Sequence, residues 1–292
     1  MSDRNTLLAM SEAVGIIAGG GRLPVCVAQA AREKGHRVAI AAFRNFAEVE
    51  LAKYAHALTW VHVGELGALL EAFRTAGVRR AVLAGQVPKL HLYGDLGALK
   101  FDEHALVLLR RLADRRDHSI LAALADWLAE HGIELLRQGE LVPELLAPIG
   151  CFGAVAADAR VRGDLAFGWP LAKQLAQLQV GQTVVVKDCS VIAVEALEGT
   201  DATLCRGAEL AGPGVVAIKV AKLGQDPRFD LPTVGLETVN VLAEAKAAAL
   251  VVEAGSTLIL ERAEFVRRAD ACGLALLGVS AEGPAVSQEG AR

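Results

Sequence analysis

Short apolar runs at Val14–Ala18, Val38–Phe43, Leu58–Val63 and Arg80–Ala84 alternate with amphipathic stretches at Leu23–Lys34 and Glu65–Thr75. That rhythm constrains the fold more than any other feature of the chain. A short strand buried on both faces, followed by a helix, returns to the sheet edge only as a parallel α/β layer. Pro24 suits the first turn of a helix, where a missing N–H costs little, and Gly35 and Gly77 stop the two helices. Asp102–Leu112 and Ser119–His131 read as further helices, and Ile133–Leu136 as a fifth strand. The first part of the chain, residues 1–145, is therefore expected to be an N-terminal Rossmann-like domain with a parallel sheet.

The Pro- and Gly-rich stretch Pro143–Gly153 reads as a linker. Residues 146–292 have a different rhythm and are expected to form a second, mixed α/β domain. A long helix at Ala156–Gln179, broken near Gly168-Trp169-Pro170, precedes a hairpin of Thr183–Lys187 and Ser190–Glu195 around Asp188-Cys189-Ser190. A helix at Asp201–Glu209, strands at Val215–Ala221, Leu250–Glu253, Leu258–Leu260 and Leu274–Val279, and helices at Leu236–Ala248 and Arg262–Cys272 complete it. With 292 residues, 53% hydrophobic and 22% charged, the chain can fill two cores.

Composition excludes several classes. A net charge of −4 gives no electrostatic case for nucleic acid. Leu145–Ala157 is uncharged, but Pro148, Gly150 and Gly153 interrupt it, and it falls short of the roughly 20 apolar residues that span a bilayer. The start lacks a basic region followed by an apolar core, so no signal peptide is expected and the chain is expected in the cytoplasm. Cys26, Cys151, Cys189, Cys205 and Cys272 are dispersed, which argues against a disulfide framework or a structural zinc site. The seven histidines all lie at or before His131. Chemistry in the second half must therefore use carboxylates; among the histidines only His91, in a Gly/Tyr-containing loop, invites attention.

Gly19-Gly20-Gly21 between a strand and a helix invites a dinucleotide reading, which fails in detail. Pro24 stands where Gly-x-Gly-x-x-Gly needs its third glycine, and the second strand ends Ala42-Phe43-Arg44-Asn45, with no acidic residue for a ribose. No Lys-Ser/Thr pair makes a P-loop. An ordinary βα turn and a backbone cradle for phosphate both remain open. Gly85-Gln86 ends the fourth strand, where ligands bind in open α/β sheets, and the two turns are placed to share one crevice.

The second half carries two polar knots. Val191–Asp201 runs an apolar strand into Glu195, Glu198 and Asp201 around Gly199 and Thr200. Lys219–Thr233 gathers Lys219, Lys222, Gln225, Asp226, Arg228, Asp230 and Thr233. Taken alone, the carboxylates also suit a solvated turn with a helix cap, or turns around Pro227 and Pro232. Lys219 sits inside an otherwise apolar strand, where an ammonium is costly without a partner, so Glu195 or Glu198 is expected beside it. Carboxylates for a hard cation and cations for phosphate oxygens are the parts of a phosphoryl-transfer site.

Three segments, Gly15–Pro24, Val191–Asp201 and Lys219–Gly235, together resemble the UDP-2,3-diacylglucosamine pyrophosphatases of the LpxI type, and with their spacing the resemblance spans nearly the whole chain. It implies hydrolysis of UDP-2,3-diacylglucosamine to UMP and 2,3-diacylglucosamine 1-phosphate (lipid X) in lipid A biosynthesis. It also implies Mg²⁺, a lipid product held between two domains, and a homodimer; the two-chain substrate makes transient contact with the inner-membrane surface an expectation as well. On that basis Asp226 is the leading catalytic carboxylate, with Lys219, Lys222 and Arg228 offsetting charge. Asp226, Glu195, Glu198, Asp201 and Asp230 are the candidate metal ligands. Gly19, Gly20, Gly21, Leu23, Gly85, Gln86, Gln225, Thr200 and Thr233 are the candidate substrate contacts. The alternatives are a hydrolase of another UDP-sugar, or a non-catalytic lipid- or nucleotide-binding protein.

Overall fold

The computed structural model describes residues 13–87, 101–112, 117–222 and 224–284; His91 lies outside them. The chain forms two compact units, the first comprising Met1–Val142 together with Asp226–Phe229, the second Pro143–Gln225 and Asp230–Arg292.

The first unit is built on five parallel strands: β1 (Ala13–Ala18), β2 (Arg37–Phe43), β3 (Ala57–Val61), β4 (Arg80–Ala84) and β5 (Glu134–Leu135), in the order β3-β2-β1-β4-β5. β1 is buried along its whole length, as a central parallel strand covered on both faces must be. Helices α1 (Leu23–Glu33), α2 (Leu66–Ala76), α3 (Glu103–Arg111) and α4 (Asp117–Glu130) and the short α5 (Gln138–Leu141) accompany the sheet. The order reverses at β1: the chain first builds outward through β2 and β3, then returns to place β4 on the other side. The turns after β1 and β4 are therefore neighbours at the carboxyl ends of adjacent strands, where open α/β sheets bind ligands.

The second unit has a six-stranded mixed sheet, order β6-β13-β11-β9-β7-β8, from β6 (Gly150–Cys151), β7 (Thr183–Lys187), β8 (Ser190–Val194), β9 (Val216–Lys219), β11 (Ala249–Glu253) and β13 (Ala275–Val279). β10 (Thr233–Val234) and β12 (Leu258–Ile259) form a separate small parallel ladder. Helices α6 (Ala159–Gln177), α7 (Thr200–Ala211), α8 (Leu236–Glu244) and α9 (Arg262–Ala271) complete the unit. The β7–β8 hairpin turns on Asp188 and Cys189, with φ of 50° and 55°. Two successive left-handed residues match the right-handed twist of the strands they join.

Several expectations need correction. The segment read as a linker belongs to the second unit: Leu146 bridges Leu258, and β6 pairs antiparallel with β13. The helix expected to break near Pro170 runs unbroken. Proline removes one backbone hydrogen bond there, but close packing holds the helix together. Gly168 lies so close to the sheet that a Cβ would stand 2.5 Å from Ile218 and 2.7 Å from Val186, and Trp169 is buried beside it. The largest departure is Asp226–Phe229, placed by sequence in the second domain and packed instead with the first. Phe229 is 8% exposed and joins the core of the first unit with residues of β2, β4, α2 and α4.

Replacing Phe229 with Ala should therefore cost the first unit about 3–5 kcal/mol, the usual range for a buried phenylalanine. Hydrogen exchange should quicken in β1, β2 and β4 while β7, β9 and β11 keep their protection. Equal loss in both units would contradict this assignment.

Candidate active site

Sheet topology gathers four buried polar residues of the second unit at one end of its sheet. β9 and β11 are parallel, with Val252 opposite Lys219, so Lys219 and Glu253 both stand at carboxyl ends. β7 runs the other way and begins there, with Thr183 opposite Lys219. β8, antiparallel to β7, ends beside it, and Glu195 follows directly. Lys219, Glu253, Thr183 and Glu195 are all buried, Lys219 and Glu195 to 5% and 7% exposure.

The Lys219 ammonium donates to Thr200 Oγ1 at 3.0 Å and to the Thr233 carbonyl at 2.9 Å. Thr200 Oγ1 donates to Glu195 Oε1 at 3.1 Å, and the Gln182 N–H reaches Glu195 Oε2 at 3.2 Å. Thr200 is the first residue of α7, set in place by Gly199, whose φ of 84° closes the turn that precedes it. The expected acidic partner of Lys219 is thus Glu195, acting through the Thr200 hydroxyl. Burial pushes the Lys219 pKa below its ordinary 10.5, while the Glu195 and then the Asp201 carboxylates oppose that shift. Between the lowered value and 10.5 the unfolded chain binds the extra proton, so the Lys219 contribution to stability rises with pH through that window and is lost as pH falls.

The remaining sequence candidates of this unit take separate roles. Glu198 is exposed and pairs with Arg206 at 2.6 Å, its carboxyl held below the usual range by its own backbone N–H and by that guanidinium. Asp201 accepts from Thr238 Oγ1 at 3.2 Å. Gln225 Oε1 closes a turn on the Lys222 N–H at 2.9 Å. Lys222 is half-buried, and its ammonium makes no hydrogen bond or ion pair among the described residues, which leaves it available to an anion. Asp230 is exposed. Glu253, which sequence reading passed over, accepts from the Ala221 N–H and the Lys173 ammonium, each at 2.9 Å, and so fixes the chain as it leaves β9. Its signal was a charged residue ending a buried strand, as Lys219 does.

Of the second knot, Asp226 and Arg228 belong to the first unit. Asp226 and Arg228 form a chelate within one turn. The Arg228 N–H and Nε each reach Oδ1 at 3.0 Å, and Nη2 reaches Oδ2 at 2.7 Å. The guanidinium also stands 5.7 Å over the Phe229 ring. The Asp226 hydrogen bonds hold the arginine pKa above its ordinary value.

The glycine turns do meet. Gly20 N–H donates to the Gln86 carbonyl at 2.8 Å, Gln86 N–H to Gly20 at 3.0 Å, and Gly19 N–H to Ala84 at 2.8 Å. The contact needs glycine: a Cβ on Gly85, at φ 87°, would lie 2.5 Å from the Gly20 carbonyl. It also occupies the Gly19 and Gly20 amides, so a phosphate cradle in this turn would have to draw on Gly21 and the α1 start at Leu23. Among the described residues no group of three His, Cys, Asp or Glu side chains is arranged to hold a metal ion. The five carboxylates put forward from sequence therefore do not form one cage. They are spent on Thr200, Arg206, Thr238 and Arg228, apart from the exposed Asp230.

If Lys219, Thr200 and Glu195 act as one unit, Thr200→Val and Glu195→Gln should each destabilise the second unit by about 1–3 kcal/mol. The double variant should fall short of their sum by at least about 0.5 kcal/mol. Strict additivity in denaturant unfolding would show three independent groups.

Comparison with known proteins places these clusters in context. The family described as "LpxI N-terminal domain" matches residues 13–145, and "LpxI C-terminal domain" matches residues 148–277. A protein of Caulobacter vibrioides, UDP-2,3-diacylglucosamine pyrophosphatase LpxI, is 35% identical over 278 residues, covering 91% of this chain and 97% of the relative. Among solved structures, glycinamide-RNase-transformylase T from Mycobacterium tuberculosis aligns over 63% of this chain and 44% of its own, at 13% identity and a TM-score of 0.23, too slight to carry an argument. Both halves of the chain match, in order and nearly end to end: the chain belongs to the LpxI family.

Proposed function

We propose that this chain hydrolyses the pyrophosphate bond of UDP-2,3-diacylglucosamine, releasing UMP and 2,3-diacylglucosamine 1-phosphate in lipid A biosynthesis. The observation that carries this reading is the near full-length match to a pyrophosphatase of that name. The local chemistry agrees. A diphosphate brings several negative oxygens and needs fixed cations where charge develops as the P–O bond breaks. Lys222 and Lys219 are such cations in the second unit, Lys219 held in place by Thr200 and Thr233, and Arg228 is one in the first.

Asp226 is the carboxylate we assign to the reaction. Arg228 neutralises it before substrate arrives, and a phosphate group offers that guanidinium an alternative bidentate partner. Once the arginine turns to phosphate, the Asp226 carboxylate can orient the attacking water and accept its proton. Magnesium carried by a diphosphate needs only one or two protein carboxylates, which fits Asp226 better than a cage, and would supply charge neutralisation on the phosphate oxygens. In the same reading the enzyme is a cytoplasmic homodimer that collects its two-chain lipid at the inner-membrane surface. Among the described residues no helix is long and apolar enough to cross a membrane.

Purified protein should release UMP from UDP-2,3-diacylglucosamine when Mg²⁺ is present and stop when it is chelated. Asp226→Ala should lower turnover roughly 10²- to 10⁴-fold, the range of a general acid–base group, without unfolding the protein. UMP released only from a non-acylated UDP-sugar would assign a different substrate. Near-normal turnover in the Asp226 variant would remove that residue from the reaction.

A further inference from the structure

Among the described residues Gln138 is the one buried polar side chain of the first unit, 2% exposed, and no part of the mechanism above uses it. Its place follows from the sheet register. β5 feeds the outer edge of β4 with backbone donors two residues apart: Glu134 N–H to the Arg79 carbonyl and Leu136 N–H to the Ala81 carbonyl, each at 2.8 Å. Continued for one more step, a parallel ladder would set Gln138 N–H on the Leu83 carbonyl. The chain instead turns into α5 at Gln138. The Gln138 side chain takes over the missing rung, Nε2 donating to the Leu83 carbonyl at 2.9 Å. The backbone N–H, released from the ladder, donates at 2.9 Å to the carbonyl of Pro227. Pro227 lies between Asp226 and Arg228 in the turn that Phe229 roots in the core of the first unit.

We infer that Gln138 is a positioning residue for Asp226. By standing in for its own backbone on β4, it frees an N–H that fastens the Asp226–Phe229 turn near the carboxyl end of that strand. An apolar residue of similar size would leave the Leu83 carbonyl buried and unpaired, and the backbone N–H of residue 138 would be drawn back toward it. The turn would then lose its fixed rung. The inference rests on the reading of Asp226 as the acting carboxylate.

The test compares wild type, Asp226→Ala, Gln138→Leu and Gln138→Glu for UMP release from UDP-2,3-diacylglucosamine with Mg²⁺. Gln138→Leu should lower kcat roughly 10- to 100-fold, the cost of about 1 Å of misplacement at a reacting group, with KM within about twofold. Gln138→Glu should approach wild-type kcat at low pH, where a protonated carboxyl donates to Leu83, and lose it as pH rises and a carboxylate faces that carbonyl. The ratio for Gln138→Leu should stay flat with pH, and the glutamate variant alone decides the question should the leucine variant fail to fold. Hydrogen exchange gives a readout independent of activity. Amides of Arg228 and Phe229 should exchange roughly tenfold faster in Gln138→Leu, the equivalent of one weakened hydrogen bond, while β7 and β11 stay unchanged. Wild-type kcat at every pH and unchanged exchange at Arg228 and Phe229, with Asp226→Ala inactive, would overturn the positioning role. An active Asp226→Ala, or a wild type that releases no UMP, would instead overturn the reading beneath it.

Discussion

An ammonium at the end of a buried strand loses its water, and the cost is several kcal/mol unless donors and charges around it are matched. Lys219 is in that position, and much of the second unit is arranged to hold it. α7 starts where it does because Gly199 turns the chain so that the Thr200 hydroxyl meets the ammonium. The β10 strand carries Thr233, whose carbonyl accepts a second N–H of the ammonium. Glu195 gives the countercharge through Thr200 rather than by direct contact. A direct ion pair would satisfy Lys219 and leave it little reason to meet a phosphate. Two neutral acceptors and a carboxylate one hydroxyl away hold the lysine in place without fully neutralising it.

Asp226 is held by a different logic. Its carboxylate pairs with Arg228 of the same turn, and the turn is rooted in the first unit by Phe229 and by one backbone hydrogen bond from Gln138. The chain thus lends four residues from deep in its second half to the unit formed by its first 142. Lys219 and Lys222 stay with the second unit. The two lysines and the Asp226–Arg228 pair are therefore supported by separate cores.

Most of the fold was legible because it is written in periodicity. Short buried strands and amphipathic helices in strict alternation leave a parallel sheet as the stable arrangement, and β1 to β4 fall within a residue or two of the expected bounds. The Asp188-Cys189-Ser190 corner announced its hairpin as a polar break between two apolar strands. The misses have one cause, tertiary packing that local pattern does not encode. Pro170 predicted a break that Gly168 and Trp169 prevent by packing on the sheet. Pro143–Gly153 had linker composition but contains an edge strand, because β13 offers it a free edge. At the site, residue type identified Lys219 and the two knots, whereas the partners of each carboxylate depended on side chains distant in sequence. Glu198 lies three residues from Glu195 yet faces Arg206, and no spacing rule separates their roles.

The account depends most on Lys219 being a buried, partly compensated ammonium, and NMR titration of its side-chain nitrogen tests that directly. Lys219 should lose its proton at lower pH than the surface lysines, and Glu195→Gln should move the transition lower still, because Glu195 is the main group that raises it. A Lys219 that titrates with the exposed lysines and ignores the Glu195 substitution would contradict the account.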